Sequence, residues 1–239
     1  MRSVLLHGFA GDPTHWDDVL AVAPLPGATA IALPGHRGGP PVAGDWNANL
    51  DAIAAAIVAS GGPADLAIGY SLGARVALGL VARNAVPRAI LISVNPGIAD
   101  ADRAARRAGD AAWADLLRSR GTSAFLDAWQ AQPLFASQAR APAERRAARH
   151  ARRAELDAEA LARSLETMGL AEMPDYRTIV DARVALIAGA DDAKFVAIAR
   201  GLPIPVTLIA DSGHDPTLEQ PDALRRTIDR AIAHVMASS

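Results

Sequence analysis

Leu66-Ala67-Ile68-Gly69-Tyr70-Ser71-Leu72-Gly73-Ala74-Arg75 is the stretch on which the fold turns. A short apolar run meets Gly-x-Ser-x-Gly, and helix-forming residues continue to Leu80. That order predicts a strand, a sharp turn and a helix, with Ser71 at the bend, the arrangement of a nucleophile elbow. Side chains two residues either side of the serine would make strand and helix collide, so glycines are expected there. At the start of a helix, the unpaired N–H of Leu72 and the helix dipole can steady a developing negative charge.

Strand and helix patterns alternate outward from this point. Val4-Leu5-Leu6 and Thr29–Leu33 precede it, and Ala89–Val94 follows as a continuous apolar run, as expected of a strand covered on both faces. Arg183–Ala188 and Val206–Ile209 complete the strands, and helices are expected over Asp45–Ile57, Lys194–Arg200 and Pro221–Met236. From Ile98 to Val180 strand-like runs vanish, and Ala/Arg/Glu-rich helical segments broken at Gly121, Pro133, Pro142 and Gly169 take over. Alternating strands and helices imply an α/β fold, a mostly parallel sheet with helices on both faces. Residues 1–97 and 181–239 would form the core, and 98–180 an inserted helical lid over the strand ends.

A serine needs a base. Loops that follow parallel strands gather at one edge of the sheet. Two of them carry Asp191-Asp192 and Asp211-Ser212-Gly213-His214. The order Ser71…Asp192…His214 suits a relay in which His214 takes the serine proton and Asp192 fixes its tautomer, with Asp191 and Asp211 as alternative acids. After the first strand, His7-Gly8-Phe9 can turn the Phe9 N–H inward, giving with Leu72 a two-donor oxyanion hole. His7 itself is expected to bond loop backbone. His15, His36, His150 and His234 lack strand-end context and are expected in loops or at the surface. No histidine pair has metal-ligand spacing, so no metal or other cofactor is expected.

The composition narrows the partners. A net charge of −2 speaks for neither nucleic acid nor an anionic membrane. No apolar run approaches the ~20 residues of a membrane span. The first strand begins at once, leaving no room for a signal peptide, and there are no cysteines, so a soluble cytoplasmic protein is expected. Its 24 basic residues include a single lysine, a skew that a GC-rich genome also produces, so arginines count only by position. Arg75 is one helical turn beyond Ser71 and can share its face. It suits a substrate carboxylate, the alternative being a surface helix arginine. Arg103, Arg106 and Arg107 share one turn of the lid, and Arg145, Arg146, Arg149, Arg152 and Arg153 cluster further on. Most are expected in solvent, some over the site.

Several stretches resemble the α/β-hydrolase superfamily and, more narrowly, the 2-succinyl-6-hydroxy-2,4-cyclohexadiene-1-carboxylate synthases of menaquinone biosynthesis. They are Leu6-His7-Gly8-Phe9, Leu33-Pro34-Gly35-His36, Gly69–Gly73 with Arg75, Asn95-Pro96-Gly97, and Arg103-Ala-Ala-Arg106-Arg107. Trp129-Gln-Ala-Gln132-Pro133-Leu134-Phe135-Ala136-Ser137, Asp192-Ala-Lys194-Phe195 and Gly213-His214 complete the set. The resemblance implies an α/β-hydrolase fold and a lyase that takes a proton from a succinyl-bearing cyclohexene carboxylate and expels pyruvate. It implies Ser71, His214 and Asp192 as the base relay, Arg75 and Arg106 on substrate carboxylates, and Tyr70, Trp129 and Phe135 lining the pocket. A third lid arginine is implied near His150, with Arg149, Arg152 and Arg153 all open. Ala74 stands where a second glycine is common, and the leading hairpin of the family is not evident. A serine carboxylester or C–C bond hydrolase is the alternative activity. The ligand implied is a small polycarboxylate; oligomeric state is left open.

Overall fold

The computed structural model describes residues 1–237. Six strands run Ser3–Leu6 (β1), Ala28–Ile31 (β2), Leu66–Tyr70 (β3), Ala89–Ile92 (β4), Val184–Gly189 (β5) and Val206–Ile209 (β6). They form one sheet in the order β2-β1-β3-β4-β5-β6, and every neighbouring pair is parallel. The helices are Asp17–Val22 (α1), Trp46–Ala59 (α2), Leu72–Ala82 (α3), Asp100–Gln130 (α4), Ala143–Ala154 (α5), Ala158–Met168 (α6), Ala193–Arg200 (α7), Pro216–Glu219 (α8) and Pro221–Ala237 (α9).

The central strands are apolar throughout because both their faces are covered. All of β3 and β4 is buried, and alternate residues go to opposite layers. Val4, Leu6, Ala67 and Leu91 meet Trp46, Leu50 and Ile53 of α2 and Val76 and Leu80 of α3. Leu5, Leu66, Ile68, Ile90 and Ile92 meet Trp16, Val19 of α1 and Leu224, Ile228 and Val235 of α9. Each fully buried Leu or Ile contributes roughly 1.5–3 kcal/mol. The strand β6 lies at the sheet edge, with Thr207 and Leu208 exposed, which is why its pattern is less apolar.

Between β4 and β5 the chain is helical. Gly121 (φ 76°, ψ 174°) breaks α4 at the expected place. Leu117, Phe125 and Leu126 of α4 pack with Leu156 and with Leu161 and Leu165 of α6 in a separate apolar cluster, joined by Ala10 and Phe9 from the loop after β1. The packing boundary differs from the boundary read in sequence. Met168, Leu170, Met173, Tyr176 and Val180 belong to the sheet core, and the Trp46 indole N–H donates to the Tyr176 hydroxyl at 2.9 Å. Met168 ends α6, and the others fall in a stretch with neither helical nor strand period, so only their contacts reveal it. The four-residue α8 is too short to leave a periodic signal.

Among the described residues no helix is long and apolar enough to cross a membrane. Among the same residues no group of three or more His, Asp or Glu side chains is placed to hold a metal ion.

Candidate active site

The elbow is built by close backbone approach. A Cβ on Gly69 would lie 2.2 Å from the Gly73 carbonyl oxygen, and one on Gly73 would lie 2.1 Å from that of Leu6. Neither position admits a side chain, so strand, turn and helix meet only with glycine at both. Ser71 is held at φ 51°, ψ −107°, a strained conformation for a residue with a Cβ. Its N–H is bound to the Ile92 carbonyl at 2.9 Å and its carbonyl accepts the Arg75 N–H at 3.1 Å. The bend is thus fixed from both sides, and the hydroxyl stands at the α3 N-terminus.

His214 and Asp192 arrive from the loops after β6 and β5. Asp192 Oδ2 accepts the His214 Nδ1–H at 2.8 Å, while Oδ1 accepts the Phe195 N–H at 3.1 Å and caps α7. With Nδ1 carrying the proton, the lone pair of Nε2 faces Ser71 Oγ at 3.3 Å. Both residues are buried, and the Phe195 ring packs on the imidazole at a centroid distance of 4.3 Å. The alternative acids lie elsewhere: Asp191 is exposed and paired with Arg140 at 2.6 Å, and Asp211 is exposed. Ser93, at the end of β4 with φ 52°, donates its hydroxyl to the His214 carbonyl at 2.8 Å.

The loop after β1 shows why Phe9 can present its N–H. The Gly8 carbonyl is held by the Gly11 N–H at 3.0 Å and by His7 Nδ1–H at 2.8 Å. No peptide bond among the described residues is cis, so the Phe9 N–H points opposite to that carbonyl. Phe9 and Leu72 both line the cavity above Ser71. The other nitrogen of His7 accepts the Leu33 N–H at 3.1 Å, so its ring bonds only backbone. His36 does the same between Pro34 and Ala10. Burial lowers His7 to about 4 and His36 to about 3, with His7 itself further disfavouring charge on His36.

Two lobes flank Ser71, and Phe9, Trp129 and Phe135 line both. The first, of about 290 Å³, is lined by Arg75, Arg106, Asn95, Lys194 and Trp113. Arg75 gives one N–H to the Met168 carbonyl at 2.8 Å, and burial, then the nearby Arg106, lower its guanidinium to about 9. Arg106 is already paired with Asp110 at 2.8 Å. Arg103 and Arg107 do not reach the cavity; they bind the Ala171 carbonyl, and Arg107 also pairs with Glu172.

The second lobe is smaller, about 50 Å³, and is lined by Tyr70, His15, Arg149, Arg152 and Arg153. All three arginines left open by the sequence are therefore here, in different states. Arg149 is buried and bound to Asp215 at 2.7 Å and to Thr217 at 3.2 Å. Arg153 gives its Nε–H to the Ala10 carbonyl at 2.8 Å, and burial, then Arg149, lower it to about 10.

His15 lies in the connection between β1 and α1, as a loop histidine would, but not at the surface. It is buried, stacked on Tyr70 at 4.9 Å and within 2.7 Å of the Thr217 hydroxyl. Burial, then Arg149, hold it neutral by lowering its pKa far below the usual value. Asp215 completes the cluster: burial would raise its carboxyl, but the Arg149 guanidinium, above all, brings it to about 2. Its position next to His214 is the sequence signal that could have directed attention to it.

Comparison with known proteins agrees with this geometry. Residues 4–227 match the model of the alpha/beta hydrolase family. The 2-succinyl-6-hydroxy-2,4-cyclohexadiene-1-carboxylate synthase of Klebsiella pneumoniae (strain 342) is 33% identical over 98% of this chain and 93% of its own. That of Salmonella typhimurium is 32% identical over 91% and 88%. Among solved structures, MenH from S. aureus superposes with a TM-score of 0.86 at 26% identity, covering 99% of this chain and 94% of that one. A malate-bound esterase from Thermogutta terrifontis shares the fold, with a TM-score of 0.78 at 21% identity over 98% and 90%. The chain belongs to the alpha/beta hydrolase family and, within it, to the 2-succinyl-6-hydroxy-2,4-cyclohexadiene-1-carboxylate synthases.

Proposed function

We propose that this chain is a lyase of menaquinone biosynthesis that releases pyruvate from a succinyl-bearing cyclohexene carboxylate. One observation carries the reading. Two guanidinium groups, Arg75 and Arg153, stand in the lobes on either side of Ser71, and each is bound to a backbone carbonyl, with no carboxylate paired to either among the described residues. A half-buried cation with no carboxylate paired to it is costly, and a polycarboxylate supplies the missing charges. A neutral ester would leave both uncompensated.

In this reading Arg75, with Arg106 beside it, holds one substrate carboxylate. Arg153 and Arg152 hold another, since Arg149 is already neutralised by Asp215. Ser71 passes its proton to His214, and Asp192 stabilises the resulting imidazolium. The serine oxygen then takes a ring proton. The C–H electron pair becomes a ring double bond, and the bond between ring carbon and the oxygen of the three-carbon group breaks. Its electron pair leaves on that oxygen as an enolate, which is protonated on carbon to pyruvate. The N–H groups of Phe9 and Leu72 face the charge that builds as the proton departs. Tyr70, Trp129 and Phe135 wall the cavity, and residues 98–167 act as its lid.

The test is pyruvate release from the cyclohexene substrate by purified protein, followed through coupled reduction. Ser71→Ala and His214→Ala are each expected to lose on the order of 10³-fold or more in kcat. An acyl-enzyme burst with p-nitrophenyl acetate, with no pyruvate formed from the cyclohexene substrate, would instead identify a hydrolase.

A further inference from the structure

The imidazole of His214 is steered by Asp192, but a side chain's position is no better defined than the backbone that carries it. The amides on either side of His214 both donate to one carboxylate. Glu219 Oε2 accepts the Gly213 N–H at 2.8 Å, and Oε1 accepts the Asp215 N–H at 3.2 Å. Glu219 is the last residue of α8, and its side chain is only 1% exposed. A cation lies nearby: Arg140, half in solvent, approaches Oε2 to 3.8 Å. The third restraint is the Ser93 hydroxyl on the His214 carbonyl. The peptide that follows the histidine is therefore held at both its N–H and its carbonyl, and the residue before the histidine is held at its own N–H.

We infer that Glu219 is a positioning residue for the reaction, setting the His214-to-Ser71 distance by clamping the two peptide N–H groups that flank the histidine. The inference rests on His214 acting as the base for Ser71. A carboxylate is required because both partners are donors and both oxygens must accept. Charge-assisted bonds in a dry site are also the stronger kind. Glu219→Gln keeps the shape but turns an NH₂ group toward one of the two amides, a donor facing a donor. The loop then loses one anchor while Asp192, the arginines and the cavity walls stay in place.

The experiment compares wild type, Glu219→Gln and Glu219→Asp for pyruvate release and for the rate at which a fluorophosphonate labels Ser71. The second measurement reads serine activation without depending on the natural substrate. The expected result for Glu219→Gln is a loss of 10-fold or more in kcat, with KM within twofold. Its labelling rate should fall in parallel, and the downfield His214 Nδ1–H proton resonance should broaden. Glu219→Asp, too short to reach both amides, should show the same split if the glutamine variant does not fold. Folded variants that label and turn over as wild type overturn the inference. A wild type whose fluorophosphonate labelling survives Ser71→Ala overturns instead the assignment of the nucleophile.

Discussion

Arg75→Met separates a guanidinium kept for a ligand from one kept for the fold. A fall of the Arg75 guanidinium to about 9 means that the empty protein carries an uncompensated desolvation cost. At about 1.4 kcal/mol per tenfold in proton affinity, that is a few kcal/mol before screening. Allowing for the solvent that reaches this part-exposed group leaves about 1–2 kcal/mol. Methionine fills similar space with a flexible apolar chain, and removing the charge returns this amount. Against it stands the lost bond to the Met168 carbonyl, worth about 1 kcal/mol. The melting temperature of the unliganded variant should therefore stay level or rise by up to ~3 °C. Activity should go the other way. A charge-assisted bond to a carboxylate contributes about 1.5–3 kcal/mol, so kcat/KM for pyruvate release should drop roughly 10- to 150-fold. Thermal denaturation without ligand and steady-state kinetics measure the two halves. A melting temperature lowered by more than ~5 °C, or kcat/KM within twofold of wild type, would refute the reasoning and make Arg75 a structural arginine.

Acid stability follows from the buried histidines. Unfolded His7 and His36 bind a proton below about 6.5, whereas in the fold they stay neutral down to about 4 and about 3. The unfolded chain thus binds more protons in this interval, and stability falls as the pH drops below 6.5. At pH 5 the loss is ~2 kcal/mol each, which urea titrations at pH 7 and pH 5 would detect as a lower midpoint at pH 5; equal midpoints would contradict it. Asp215, held at about 2, adds a further loss only as the pH falls below about 4. At the same cluster, Asp215→Asn removes the counter-charge of Arg149 and should destabilise by about 3 kcal/mol or more. Combining it with Arg149→Met should recover much of that, and a purely additive double variant would argue against the pair.

The sheet was legible in sequence because burial on two faces leaves a dense, regular trace. Runs such as Ile90-Leu91-Ile92 have no competing reading, and the Gly-x-Ser-x-Gly bend fixed which edge of the sheet to inspect. Ser71, Asp192 and His214 could be grouped from topology alone, since loops after parallel strands must meet. The arginines resisted for a physical reason. A guanidinium serves equally in solvent, in an ion pair or on a carbonyl, so spacing could not distinguish Arg149 from Arg153. Their separation needed Asp215 and the Ala10 carbonyl, which come from opposite ends of the chain. His15 was missed for the same reason: its hydrogen-bonding partner Thr217 lies some two hundred residues away. The segment from Leu170 to Val180 was missed because irregular backbone can still be core.

The manner in which α5 sits on the protein has a consequence of its own. Its sole buried side chain is Arg149, and Arg145, Arg149 and Arg153, four residues apart, touch Asp18, Asp215 and the Ala10 carbonyl. Most helices are glued down by grease; this one is tethered by charge. Were it to lift, water would meet polar groups eager for hydration rather than a sticky apolar stripe, so opening would carry little danger of aggregation. Ionic strength would loosen the outer contacts first, while the same salt left the sheet beneath untouched.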